Sequence, residues 1–291
     1  MLLSMTGYGR SRLPINGKTY TVEVRALNSK GLDINVRLSN MFREREMDIR
    51  NLVSGLVIRG KVDILINNDP GEEQRSADLD PALISAYVQR LREAAGTILV
   101  SDEKLFELAA QMPNVAGQTQ ETLLPEQWST VAKALQDACA ELTVFRKQEG
   151  SNLQKDLELR TRNIEDTLLA VEQLDPERRD RSKDKLMQQL NSQFSDEQID
   201  KNRFEQELIY YLEKMDITEE IIRLRSHCTY FLENITQEAI EKGKKLAFIS
   251  QEMGREINTI GAKSYHAGMQ KLVVDMKDEL EKIKEQLNNV L

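Results

Sequence analysis

Strict alternation of apolar and polar residues is confined to the first ~70 residues of this chain, and helical periodicity governs nearly everything after Pro81. In "KTYTVEVRAL", Tyr20, Val22, Val24 and Ala26 fall on one face and Thr19, Thr21, Glu23 and Arg25 on the other. "LDINVRL" and "KVDILINND" repeat the pattern, with Leu32, Ile34, Val36 and Leu38 in the first and Val62, Ile64 and Ile66 in the second. A period of two predicts half-buried strands with one wet face. "LNSKG" has the Asn, Ser and Gly of a turn, and "LLSMTGYGR" is expected to be an edge strand. In "MFREREMDIRNLVSGLVIRG", Phe42, Met47 or Ile49, Leu52, Val53 and Leu56 have helical spacing, with Gly60 as the stop. The fold class is α+β. Residues 1–72 form a small basic N-terminal domain of antiparallel sheet and one helix.

The rest is helical. A connector, "DPGEEQRSADLDP", leads to "LISAYVQRLREAAG", whose Leu83, Ala86, Tyr87 and Leu91 share a side, and a loop follows around "QMPNVAG". After Pro125, the apolar positions Leu135, Leu142, Phe145, Leu153, Leu157, Ile164 and Leu168 fit a long amphipathic rod, with a bend expected at Gly150. Pro176 suits a helix start, and two further helical runs cover 196–242 and 244–291. Aromatics at 5%, six Pro and 14 Gly agree with long helices rather than a β-sandwich. The expected domains are a helical middle region or arm at 73–195 and a C-terminal helical bundle at 196–291. Arms of this kind pack against other subunits, so a homo-oligomer is expected, with the rod at 127–174 buried in it.

Charge is unevenly spread. The net charge is −8, yet residues 1–61 hold eleven Lys and Arg against five acids, a balance of +6 that leaves −14 for the other 230 residues. A basic end on an acidic body is one footprint of a polyanion binder, and also of an ordinary solvated face. Cys139 and Cys228 form no disulfide or metal pattern, which suits a reducing cytoplasm. "MLLSMTGYGRSRL" lacks the charged and apolar regions of a signal peptide. No apolar run approaches the ~18 residues of a membrane span.

Two polar rows stand out. In "FISQEMGREINTIGAKSY", Ile249, Met253, Ile257 and Ile260 make an apolar stripe. Beside it Glu252, Glu256, Thr259 and Lys263 lie within about 60° of one another on an ideal helix. Arg255 and Asn258 flank that row, and Gly254, Gly261 and Ala262 leave room for close approach. "MDITEEIIRLRSH" repeats the offsets with Asp216, Glu220, Arg223 and His227. Glu219 flanks this second row, and Glu205 stands eleven residues before Asp216. Two antiparallel helices with such faces gather carboxylates, an imidazole and cations. Repelling carboxylates need a divalent metal or basic groups to neutralise them. Carboxylate oxygens with one imidazole suit magnesium or manganese better than zinc. Such a site binds a phosphodiester and activates water. The same spacing also serves routine solvated ion pairs worth ~0.2–0.5 kcal/mol each. His227 alone is as compatible with a boundary histidine, and His266 sits only at the edge of the last row. "VIRGKV" has the Gly-Lys pair but not a phosphate-binding loop, and no GxSxG, CxxC or HExxH pattern occurs.

The segments "MLLSMTGYGR", "RALNSKGLDINVRL", "RGKVD", "FRKQEGSNLQKDLELR", "KNRFEQELIYYLEKMDITEEIIRLRSH" and "LAFISQEMGREINTIGAKS" together resemble the YicC/YloC family of bacterial proteins across essentially the whole chain. The resemblance implies a cytoplasmic, divalent-metal-dependent endoribonuclease acting on single-stranded RNA. It also implies a hexamer-like assembly with an interior that accommodates RNA. The family's C-terminal motif falls on Gln251, Glu252, Arg255, Glu256, Asn258, Thr259 and Lys263, and its "EE..RL.SH" element on Glu219, Glu220, Arg223, Leu224, Ser226 and His227. Earlier elements fall on Arg203, Glu205 and Glu207, and on Arg25, Asn28, Lys30, Arg59, Gly60 and Lys61. Lys30 stands where the family often has Arg, which keeps a phosphate contact but not a bidentate one.

These observations assign expected roles. Glu252, Glu256, His227 and Glu220 are the candidate catalytic groups, and Glu205, Asp216, Glu219, Glu220, Glu252 and Glu256 the candidate ligands for Mg or Mn. Arg25, Asn28, Lys30, Arg59, Lys61, Arg203, Arg223, Arg255, Asn258 and Lys263 are the candidate RNA contacts. The alternative is a non-catalytic RNA-binding adaptor or oligomeric scaffold, in which the carboxylates lock helices together.

Overall fold

The computed structural model describes residues 2–68, 81–113, 115, 123–193, 201–237 and 242–291. The chain opens with strands β1 (Gly7–Ile15) and β2 (Lys18–Leu27), joined at Asn16 and Gly17, both of positive φ. That pair of conformations makes a tight hairpin whose twist matches the strands. Next come β3 (Leu32–Leu38), a 3-10 turn, helix α1 (Glu46–Leu56) and β4 (Gly60–Asn68). The sheet order is β1-β2-β4-β3. The α+β class is as expected, and β1 is an edge, but the sheet is not wholly antiparallel: β3 pairs with β4 in parallel. The cause is α1, which carries the chain from the end of β3 back to the same end of the sheet as a crossover. "LNSKG" therefore links two strands that are not neighbours.

One sheet face carries the alternating apolar set Tyr20, Val22, Val24, Ala26, Val62, Ile64 and Ile66, all buried. It packs against Phe42, Ile49 and Val53 and against the first third of α4 (Trp128–Gln193). Of the alternatives Met47 and Ile49, Ile49 is the buried one; Leu56, placed inside by its spacing, is exposed, because the first turn is 3-10 and shifts the helix phase. Helices α2 (Pro81–Ala95) and α3 (Asp102–Ala110) precede α4 and share a small core around Ile84, Ala109 and Val115. The connector at 69–80 lies outside the described residues, as does most of the "QMPNVAG" loop.

Helix α4 is the spine. Its 66 residues make a rod of roughly 100 Å. Val131, Leu135, Ala138 and Leu142 serve the sheet core; Leu157, Ile164, Leu168 and Val171 serve a second, helical core. Five of the rod's seven predicted apolar positions are thus covered by its own chain, while Phe145 is exposed and Leu153 half-buried. The helix runs through Gly150 without a break. A Cβ there would lie 2.1 Å from the Leu2 carbonyl oxygen, so the glycine serves the close approach of the N-terminal segment. Pro176 lies inside α4 rather than starting a helix. Two residues on, the buried Arg178 donates to the carbonyls of Lys263 (2.9 Å) and Met215 (2.8 Å), and its Nε donates to Asp175 (2.9 Å). One guanidinium so satisfies carbonyls at the ends of two other helices and fixes this stretch of α4 against them.

The second core is closed by α6 (Thr218–Thr236), α7 (Gly243–Lys263) and α8 (Ala267–Leu287), with α5 (Lys201–Met215) leading in. The runs expected to be continuous are each divided. The Asp216 carboxylate accepts from the Thr218 amide (3.1 Å) and hydroxyl (2.7 Å), which starts α6 afresh. His266, left at the edge of a row by its position, is the N-cap of α8, its Nδ1 accepting from the Met269 amide at 3.3 Å.

Candidate functional site

Helices α6 and α7 pack antiparallel, and two lysines of α7 bracket the seam. At one end Lys263 Nζ donates to Glu220 Oε1 and to the Asp216 carbonyl, both at 2.8 Å. At the other, Lys245 Nζ stands 5.0 Å from the centroid of the Tyr230 ring. The stretch between these ties holds Arg223 and His227 on α6 and Glu252, Glu256 and Thr259 on α7. The two rows predicted to face each other meet within one chain at the Lys263–Glu220 end.

Their chemistry is uneven. Glu220 is 6% exposed, and its Oε2 has no hydrogen-bond partner. Glu256 is 9% exposed and makes no hydrogen bond or ion pair among the described residues. A buried carboxylate oxygen without a partner, as at Glu220, is costly. Glu252 keeps an exposed contact with Arg255 at 3.3 Å. The Thr259 hydroxyl donates to the Arg255 carbonyl at 3.0 Å, so its proton is used within its own helix. Asn258 is exposed beside it.

Other predicted members stand apart. Glu219 pairs with Arg223 along α6, with both side chains exposed. The Thr218 hydroxyl bond pulls the Asp216 carboxyl below its ordinary range, and the group is occupied by Thr218 in the turn before α6. Glu205 is exposed on α5, and the break at Asp216 removes the continuous helix that put it in register with the row. Arg203 lies on the same helix, among residues whose side chains fall outside those described. Among the described residues no three His, Cys, Asp or Glu side chains converge as a metal site. A closed metal cage within one chain does not fit. Glu220, with its buried unpaired Oε2, and Glu256, which makes no bond of its own among the described residues, remain as donors that substrate phosphates would have to supplement. Burial pushes the Cys139 and Cys228 thiols up to about 11 and about 12, as inert core residues rather than nucleophiles.

The open face of the sheet is the second feature. The registers Tyr8↔Arg25, Arg25↔Asp63 and Asn35↔Asp63 put side chains of all four strands on one surface. Arg25, Lys61, Arg10, Arg12 and Arg37 are exposed on it, with Glu23, Asp33 and Asp63 interspersed. Arg25 pairs with Glu23 at 2.8 Å and lies 5.5 Å over the Tyr8 ring. Arg10, Arg12 and Arg37 were not singled out as RNA contacts, although strand parity alone puts them with Arg25. Lys30 is exposed at the strand ends. Asn28 and Arg59 are engaged internally: the Asn28 amide donates to the Asn288 carbonyl, and Arg59 Nε donates to the Ser29 carbonyl at 2.9 Å.

Among the described residues no helix is long and apolar enough to cross a membrane. The chain matches two family models: the N-terminal region of the endoribonuclease YicC-like family over residues 2–155, and its C-terminal domain over residues 171–291. It belongs to the YicC-like endoribonuclease family. A relative from Clostridioides difficile (strain 630), named "Probable endoribonuclease YicC", is 34% identical over the full length of both chains. One of the same name from Haemophilus influenzae (strain Rd) is 26% identical, again over both full lengths.

Proposed function

We propose that this protein is an endoribonuclease that cleaves phosphodiester bonds in single-stranded RNA at the α6–α7 seam. The observation that carries this reading is Glu256, a carboxylate that makes no hydrogen bond or ion pair among the described residues, set in a seam with an imidazole and cations. In this scheme Glu256 takes a proton from the attacking oxygen, His227 returns one to the leaving oxygen, and Arg223 and Arg255 hold the phosphate charge. Magnesium or manganese, entering with the substrate phosphates, would be held by Glu256 and Glu220 and would supply charge neutralisation. The basic sheet face holds the RNA backbone at a distance from the cut. The printed names of the family and of both relatives support the activity. The cytoplasm is the proposed compartment, with two free buried cysteines in support. A hexamer-like homo-oligomer is the proposed assembly. Its support lies in α5, where Ile209, Tyr210 and Tyr211 are more than half exposed, and not in the rod.

Purified protein with end-labelled single-stranded RNA tests the proposal. Cleavage is expected with manganese or magnesium and loss of it with EDTA, while a matched duplex stays intact. RNA that is bound and never cut in any metal would leave the adaptor reading in its place.

The sheet face makes its own prediction. Arg25→Ala and Lys61→Ala should each weaken RNA binding and flatten its salt dependence by about one unit of slope, the signature of one lost phosphate contact. Melting should change little, since both side chains are exposed. Unchanged salt slopes in both variants would remove this face from the RNA path.

A further inference from the structure

The two rows continue past the residues assigned above. On α7, Lys245 stands seven residues before Glu252 and Phe248 four before it, so both fall within about 40° of Glu252. On α6, Tyr230 follows His227 by three residues, and the two line one shallow surface hollow. The rings of Tyr230 and Phe248 are 43% and 68% exposed. Neither belongs to a hydrophobic core, and among the described residues neither pairs with another aromatic ring. Lys245 lies against the Tyr230 ring, and its hydrogen bond lowers the tyrosine hydroxyl below its ordinary range. Polar groups of the cutting seam thus give way, at the Lys245 end, to two open aromatic faces with a cation beside them.

Exposed rings next to a cation are the elements that hold an unstacked nucleobase, since every base offers a π-face and the ammonium meets the adjoining phosphate. A base inside a duplex is stacked on its neighbours and cannot take that place. We propose that Tyr230, assisted by Phe248 and Lys245, is a stacking platform for one unpaired base beside the scissile phosphate and so contributes to selection of single-stranded RNA. This rests on the α6–α7 seam being the cleavage site. Tyr230 acts here as a specificity-determining contact and takes no part in proton transfer.

The test uses the full-length protein and a 12-nucleotide oligouridylate in which a single abasic residue is moved along the strand. Binding is measured in EDTA and cleavage in manganese. For the wild type, one abasic position should weaken binding about tenfold, with its neighbours affected far less. Tyr230→Ala should weaken binding of the intact strand by about the same factor and abolish the sensitivity to that position. Tyr230→Phe keeps the ring and should stay within about twofold of wild type. Phe248→Ala should act in the same direction with a smaller effect. Normal binding by Tyr230→Ala and Phe248→Ala, in an enzyme that cleaves, would overturn the platform alone. A Tyr230→Ala loss that is equal at every abasic position would do the same. So would a shift in sedimentation of either variant, which would assign the rings to a subunit contact. A wild type that neither binds nor cleaves RNA would overturn the seam assignment together with this one.

Discussion

Glu256→Gln should lower single-turnover RNA cleavage by about 10²–10⁴-fold, with RNA binding retained and the melting temperature unchanged or slightly raised. The two readouts are expected to separate because of what Glu256 lacks. It is buried, and no described group in the chain bonds to it, so its charge has no evident structural task. Glutamine keeps the volume and helix propensity and removes only the charge. Glu252→Gln is the informative neighbour. Its contact with Arg255 at 3.3 Å is solvent-exposed, and removing it should cost under ~1 kcal/mol of stability. If Glu252 shares the chemistry, cleavage falls in that variant as well. Normal cleavage by both variants would make the α7 row a set of helix and subunit contacts, and the adaptor reading would gain what the nuclease reading loses.

Periodicity exposed some of this molecule and concealed the rest for identifiable reasons. The strands carrying Val22, Val24, Ile64 and Ile66 were legible because one face is buried and the other wet. Their order was not, because the turn chemistry of "LNSKG" is local while the insertion of β4 between β2 and β3 is a long-range pairing. The Asn16-Gly17 hairpin carried a readable signal that the alternation alone did not use. The breaks at Asp216 and at Ser264–His266 were hidden because apolar spacing continues across them, from Ile260 to Met269 and Val273. Only the Asp216 turn to Thr218 and the His266 cap mark them. The rows of Glu252, Glu256 and Lys263 followed from helix geometry. That they face α6 rests on the Lys263–Glu220 bond, which no sequence offset specifies. The same offsets extended by one turn would have reached Lys245, Phe248 and Tyr230. The rod was legible as amphipathic, but the cover its own chain gives to Leu135, Leu142, Leu157, Ile164 and Leu168 was not: an apolar stripe does not say whether its own chain or another will cover it.

Lys263→Met should lower stability by about 2–4 kcal/mol, near the lower part of the range for breaking a buried ion pair because the lysine side chain is 31% exposed. The mutation leaves Glu220 without its only ion pair, at 6% exposure and with Oε2 already unpartnered. It also strips the Asp216 carbonyl of a donor at the start of α6. Adding Glu220→Leu removes the stranded charge, so the double variant should recover most of the lost melting temperature, since a buried pair exchanged for apolar residues is often close to neutral. Stability and cleavage then part company. If the pair serves only to lock α6 to α7, the refolded double variant cuts RNA as wild type does. If Glu220 offers its free oxygen to the substrate side of the seam, as its unpaired Oε2 indicates, the double variant melts normally and remains deficient in cleavage. The expected result is the second. A thermally restored double variant with full single-turnover activity would return Glu220 and Lys263 to a purely structural role and confine the chemistry of the seam to Glu256, Glu252 and His227.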